Sequence, residues 1–275
     1  MYEQRLVAFI DILGFKEIIR KSENDSNLLK MVMDSVEFLK TFEVPESWNI
    51  ALIEIEECAQ KKNLEQFKIE SNVQCSCFSD SVVVSVSCDD INVNEAASTL
   101  IANLSLLGAA LIKNGILIRG GMTVGKLIHY DNGIVLGQGM IDAYELESKL
   151  AKYPRIILSS KLIEKLNYPI LKKRDRYPYH QYIKRYKDGL AGFSQLRYFQ
   201  VLQSWEEYAL VQLTSDLAKT KNTIVTGLNE KFENPGVYEK YLWLKSEYDN
   251  LVILKDGAKE EIKAIHENTI HYPKC

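Results

Sequence analysis

The run Leu6–Ile10 is unbroken, apolar, β-branched and aromatic, and the period changes to that of a helix straight after Asp11-Ile12-Leu13-Gly14. A short buried strand followed by a helix fits that switch. "FKEIIRKSENDSNLLKMVMDSVEFLKTFEV" carries helical spacing with Leu28, Val32, Val36 and Leu39 on one face, and "ALIEIEECAQKKNLEQ" predicts a further helix. "NVQCSCFSDSVVVSVSC" predicts two strands around a tight turn at Ser79-Asp80-Ser81. "NEAASTLIANLSLLGAALIKNG" predicts a helix from Asn94 that stops at Gly115. "ILIRGGMTVGKLIHYDNGIVLG" then alternates like antiparallel strands with a turn at Asp131-Asn132-Gly133. "QGMIDAYELESKLAKY" returns to helix and "PRIILSS" to strand. The order β, α, α, ββ, α, ββ, α, β predicts an α+β fold: a mixed or antiparallel sheet with helices on one side, resembling the ferredoxin-like βαββαβ unit.

Beyond Ser160 the chain becomes basic and tyrosine-rich in "LKKRDRYPYHQYIKRYKDG". "LRYFQVL" reads as a late strand, and helical patterns dominate from Gln203. Val237, Tyr241, Leu244, Tyr248 and Leu251 make one stripe, the packing surface of a helical extension. The expected division is a domain over 1–202 and an extension over 203–275.

Net charge is −3, from 34 basic against 37 acidic residues, so no broad positive field draws nucleic acid or anionic lipid. The five cysteines (Cys58, Cys75, Cys77, Cys88, Cys275) include no CxxC pair and read as small buried hydrophobes in a reducing compartment. His129, His180, His266 and His271 are scattered and read as surface or structural. "MYEQR" has no leader character, and "LIANLSLLGAALIKNG", interrupted by Asn103 and Ser105, reads as too short for a bilayer span. A cytoplasmic protein without membrane or nucleic-acid partners is the expectation.

Two carboxylates stand out. Asp11 ends the first strand, where it could cap the following helix. Asp80 occupies the turn between two strands that a hairpin could bring beside the first. Two such groups repel unless a cation lies between them, and an all-oxygen site of that kind suits Mg²⁺ or Mn²⁺, with substrate phosphates completing the shell.

"VAFIDILGF", "FSDSVVVS", "IRGGMTVGKL" and "GQGMIDAYELESKLAKYPRIILS", in that order, resemble the class III nucleotidyl cyclase homology domain. Within it they resemble the bacterial pyrimidine (uridylate or cytidylate) cyclases of Pycsar anti-phage systems. The resemblance covers Arg5 to Leu202, and "KYLWLKSEYDN" resembles the C-terminal helices of that group. It implies that Asp11 and Asp80 hold two Mg²⁺ or Mn²⁺ ions, with the carbonyl of Ile12 as a further ligand. Main-chain N–H groups at Gly14 and Phe15 would then meet phosphate at a helix N-terminus. It also implies a homodimer with sites across the interface, a nucleoside triphosphate substrate (UTP or CTP), and a cyclic product read by a separate effector protein.

The chain departs from adenylate and guanylate cyclases where their transition-state Asn and Arg would stand, at Ile141 and Glu145. Arg119, Lys126 and the Lys184/Arg185/Lys187 cluster are the alternative sources of positive charge. The purine-reading positions fall on Ser76 and Ile134, and the loss of both purine readers argues against ATP and GTP. Arg119 could equally be a strand arginine paired with a carboxylate. Glu147 falls in the apolar arc with Met140, Ala143, Tyr144, Leu150 and Ala151, so it must be paired, in a structural ion pair with an arginine such as Arg155 rather than in a catalytic role. Asp142, Glu145 and Lys149 share the solvated face, and Tyr144 either packs or touches substrate. The competing readings are a non-catalytic cyclase-like binding module and a purine cyclase. The element order also suits a diguanylate-cyclase-like palm, but the hairpin reads "CFSDS" where that family has GG[DE]EF.

Overall fold

The structure, a computed structural model, describes residues 1–48, 73–168, 178–202 and 210–251. Its strands are β1 (Glu3–Leu13), β2 (Val73–Phe78), β3 (Ser81–Ser87), β4 (Leu117–His129), β5 (Val135–Leu136), β6 (Arg155–Leu158), β7 (Lys184–Arg185) and β8 (Ala191–Ser194). Its α-helices are α1 (Phe15–Ser22), α2 (Ser26–Thr41), α3 (Val93–Ile112), α4 (Gln138–Glu145), α5 (Ser160–Lys165), α6 (Arg197–Leu202), α7 (Leu210–Glu230) and α8 (Pro235–Asp249). The sheet order is β2-β3-β1-β4-β6-β8-β7, with β5 paired to β4. β3 lies antiparallel between β1 and β2, and β4 pairs antiparallel with the other edge of β1. That is the expected ferredoxin-like core, and the parallel β4–β6 pairing makes the sheet mixed.

Strand alternation divides the core in two. Leu6, Ala8 and Ile10 join Val82, Val84, Val86 and the buried face of α3 in the larger cluster, whereas Val7, Phe9 and Val83 meet Ala143 of α4 on the other side. Helices therefore cover both faces, not one as the sequence suggested, because α4 folds back over the strand that precedes it. Each fully buried aliphatic side chain here contributes about 1.5–3 kcal/mol.

Other expectations are corrected. "LRYFQVL" forms helix α6, and the strand lies just before it at Ala191–Ser194. A short apolar run has no period that separates helix from strand. The stretch after Gly14 is two helices, because Asp25 caps α2 by accepting hydrogen bonds from the N–H groups of Asn27 and Leu28. α3 is long and apolar enough to cross a membrane, contrary to the length argument, but it is mostly buried inside the fold. Cys77 is exposed and Cys75 half-buried, so of the described cysteines only Cys88 is a buried hydrophobe. The helix expected over 51–66, Cys58, Cys275, His266 and His271 lie outside the described residues.

The stripe on α8 packs as expected: Leu244, Tyr248 and Leu251 are buried, and with Leu213, Leu217, Ile224 and Leu228 they join the same core cluster as the sheet. A buried ion pair, Lys113 Nζ to Asp216 Oδ1 at 3.0 Å, ties α7 to the end of α3.

Candidate active site

Asp11 does not cap α1. The N-cap is Gly14, whose φ of 76° lies in the left-handed region and which gives no side-chain cap. Asp11 instead faces Arg119 across the β1–β4 ladder, and Arg119 Nε donates to Asp11 Oδ2 at 2.9 Å. On the other edge of β1 the N–H of Ile12 donates to the carbonyl of Asp80 at 2.9 Å. This fixes the β2–β3 turn, with Ser79 at φ 56°, beside the end of β1. Asp80 itself is exposed.

The third carboxylate comes from α4. Past Glu145 the helix widens into one π-helical turn, Leu146–Leu150, closed by the N–H of Ala151 donating to the carbonyl of Leu146 at 2.9 Å. The turn fits because β4 has no side chain beneath it: a Cβ on Gly121 would lie 2.5 Å from Leu146 Cβ and 2.9 Å from the Glu147 nitrogen. Gly121 and Arg119 share a strand face, so the turn that rests on the glycine sets Glu147 over the arginine. Glu147 Oε1 is 2.7 Å from Arg119 Nε, yet that single N–H points at Asp11, and Oε1 is left buried without a hydrogen bond. Burial pushes the Glu147 carboxyl above its ordinary pKa; Arg119 opposes this, while Asp11 and Asp80 reinforce it.

Glu147 is thus buried and paired, as its place in the apolar arc required, but its partner is Arg119. The expected partner, Arg155, is bonded to Asp188 and sits over the Tyr186 ring at 4.5 Å, near Tyr153 and Trp243. Of the arc, Ala143 and Ala151 are buried, whereas Tyr144 and Leu150 are half-exposed. Tyr144 meets the Phe9 ring edge-on at 5.4 Å. Asp142, Glu145 and Lys149 form the polar face, with Lys149 bound to Glu145 at 2.7 Å, and Ile141 is exposed.

The remaining candidates lie elsewhere. Lys126 is exposed and pairs in register with Gln4, seven residues from Arg119 along β4, or about 23 Å at the usual strand rise. Lys187 is exposed beyond β7, and β7 is four strands from β1, about 19 Å at the usual spacing. Lys184 is bonded to Glu247, and Arg185 donates to the carbonyl of Gly189. Ser76 is buried, its Oγ 2.9 Å from His129 Nε2, while His129 Nδ1 lies 2.8 Å from Ser85 Oγ and Arg5 Nε donates to that same hydroxyl. Ile134 is exposed in the β4–β5 turn, and Phe15 is half-buried at the start of α1.

Asp11, Asp80 and Glu147 against Arg119 leave an excess of negative charge, a donor set suited to a hard divalent cation. Among the described residues no three His, Cys, Asp or Glu side chains gather at metal-binding distance. Asp11 and Asp80 would therefore need oxygen ligands from a substrate to complete a shell. Glu147 is the residue whose role the sequence obscured. Its buried charge was visible, but the π turn that selects its partner was not.

No protein-family model and no curated protein matches the chain. Solved structures similar to it include two from Pseudomonas aeruginosa. The adenylyl cyclase CyaB from Pseudomonas aeruginosa is 17% identical over 62% of this chain and 84% of its own, with a TM-score of 0.39. A class III adenylyl cyclase-like ATP-binding protein from the same organism is 11% identical over 91% of this chain and 44% of its own, with a TM-score of 0.34.

Proposed function

We propose that the chain is a nucleotidyl cyclase that converts a ribonucleoside triphosphate, UTP or CTP, to its 3′,5′-cyclic monophosphate and pyrophosphate. The observation that carries this reading is the junction of Asp11 and Asp80, two acidic residues on separate elements joined through the Ile12–Asp80 main-chain hydrogen bond. The four motif stretches add the resemblance. Two Mg²⁺ or Mn²⁺ ions at Asp11 and Asp80 would lower the pKa of the ribose 3′-hydroxyl and offset the charge of the triphosphate and departing pyrophosphate. Arg119 fixes the orientation of Asp11, and the Glu147 carboxylate, at the same Nε, adds its charge to the pair. The main chain at Gly14 and Phe15, at the head of α1, suits a phosphate oxygen.

A homodimer is part of the proposal. α4 and the β4–β5 hairpin expose Ile134, Leu136, Ile141 and Tyr144, an apolar surface that a second copy would cover. The product would act in the cytoplasm on a separate effector protein in anti-phage defence. Ile141 and Glu145, which stand in place of the transition-state Asn and Arg, favour a second reading, a non-catalytic nucleotide-binding module.

The test is incubation with each α-labelled ribonucleoside triphosphate and Mn²⁺. A cyclic product from UTP or CTP that Asp11→Ala and Asp80→Ala each abolish supports the proposal. A product from ATP or GTP overturns the base assignment. Nucleotide binding without any product favours the second reading.

A further inference from the structure

The α7–α8 hairpin is braced around the end of the sheet that carries Asp11. Lys231, in the turn between the two helices, is bonded to Glu17 of α1 at 3.1 Å, just past Gly14. Glu239 accepts from Lys152 Nζ at 2.9 Å and from the Tyr153 hydroxyl at 3.1 Å. Those two residues follow Ala151, whose carbonyl lies 3.5 Å from Arg119 Nη1. Further along α8 the Trp243 ring stacks on Tyr153, centroids 5.3 Å apart and 3° from parallel, and Glu247 binds Lys184 on β7. α8 therefore crosses the strand ends from α1 to β7, and Lys240 lies on the stretch of α8 that meets the Ala151 loop, between Glu239 and Trp243, which both contact Lys152 or Tyr153.

Among the described residues, none of the positions expected to supply positive charge leaves an uncompensated cation at the site. Arg119 is compensated by Asp11 and Glu147, and Lys126 and Lys187 lie far along and across the sheet. Among the described residues Lys240 makes no ion pair. It is half-buried and lies in the field of the Asp11–Arg119 pair: burial and Arg119 lower its pKa, while Asp11 and Glu239 raise it.

We propose that Lys240, carried to the Asp11–Arg119 corner by α8, is a substrate-binding residue that contacts the polyphosphate of the nucleotide. The role rests on the nucleoside triphosphate reading above. It makes the C-terminal helices part of the site. One flexible ammonium with three donors suits a polyphosphate that shifts as its bonds change.

The test is calorimetric titration of the full chain with inorganic triphosphate in the presence of Mn²⁺, alongside KM for the preferred nucleotide. Loss of one charge-assisted contact predicts that Lys240→Ala binds about tenfold to a hundredfold more weakly, with an unchanged melting midpoint, and that Lys240→Arg stays near the parent. If Lys240→Ala melts early, Lys240→Met, which keeps the stem, replaces it in the same comparison. Parent-like triphosphate affinity and KM in a folded Lys240 variant would overturn the role of Lys240 and leave the cyclase reading standing. A parent protein that neither binds Mn²⁺-triphosphate nor turns over any ribonucleotide would overturn both.

Discussion

Asp11 and Arg119 are direct neighbours across the β1–β4 ladder, and their side chains meet at 2.9 Å on the face that the π turn covers. The pair is held by the strand register and by the turn resting on Gly121, which also sets the Glu147 carboxylate 2.7 Å from the same Arg119 Nε. Its stiffness comes from backbone geometry, so the position of the Asp11 carboxylate is set before any ligand arrives.

Replacing Arg119 with Met should destabilise the protein, since Asp11 and the 4%-exposed Glu147 would then face each other without compensation. The cost should fall below the roughly 3–5 kcal/mol of a fully buried pair, because the guanidinium is 26% exposed. Urea unfolding measures it. A variant as stable as the parent would mean that the two carboxylates do not depend on Arg119.

Glu147 gives a pH signature. Its folded pKa lies above the ordinary value of 4.5, chiefly through burial, so the folded state binds the proton more tightly than the unfolded chain. Stability from this group is full below the unfolded pKa and is lost as pH rises through the folded one. Glu147→Gln should therefore be more stable than the parent near pH 8, with the two curves converging below about pH 4.5. Unfolding midpoints across that range provide the check, and a variant weaker at pH 8 would mean that the Arg119 attraction outweighs burial.

The ferredoxin-like core was legible because short apolar and alternating runs follow helical-period stretches in the described segments between Leu6 and Leu158. Asp11 was legible as a charge ending an apolar strand and Asp80 as a charge in the turn of a hairpin. Three features were not. The partner of Glu147 depends on a π turn, and a regular helical wheel cannot show one. Arg155 looked free to pair with it, but the ring of Tyr153, two residues before it, and the rings of Tyr186 and Trp243 from distant segments surround it. "LRYFQVL" is helical because tertiary packing decides short apolar runs.

His129 sets a second pH limit, at lower pH. Burial first, and the charge of Arg5 second, depress its pKa to about 4. A base with a depressed folded pKa contributes stability that is lost as pH falls from the unfolded value near 6.5 towards 4. The loss amounts to roughly 3–4 kcal/mol at 1.36 kcal/mol per unit. His129→Gln should flatten the stability curve between pH 6.5 and 4. An unchanged slope would show that His129 titrates normally.

Gly121→Ala tests how the site is built. The added methyl would press on Leu146 and on the backbone of Glu147, costing about 1–3 kcal/mol and lifting Glu147 from Arg119. The proposed cyclase activity should fall even at a temperature where the variant is fully folded. Full activity in a folded variant would separate the π turn from the site.

The buried Lys113–Asp216 pair tests whether the C-terminal helices fold with the sheet. Both side chains are nearly inaccessible, and Gln212 Nε2 also donates to Asp216 Oδ1 at 3.0 Å. Lys113→Met alone leaves a buried carboxylate and should cost about 3–5 kcal/mol, whereas Lys113→Met with Asp216→Leu should recover much of that. Leu213, Leu217 and Leu244 belong to the same core as the strands, so unfolding of each variant should remain a single transition by circular dichroism and by tryptophan fluorescence. A separate early transition in Lys113→Met would show that α7 and α8 melt independently, and the activity remaining after it would then report what those helices contribute to the site.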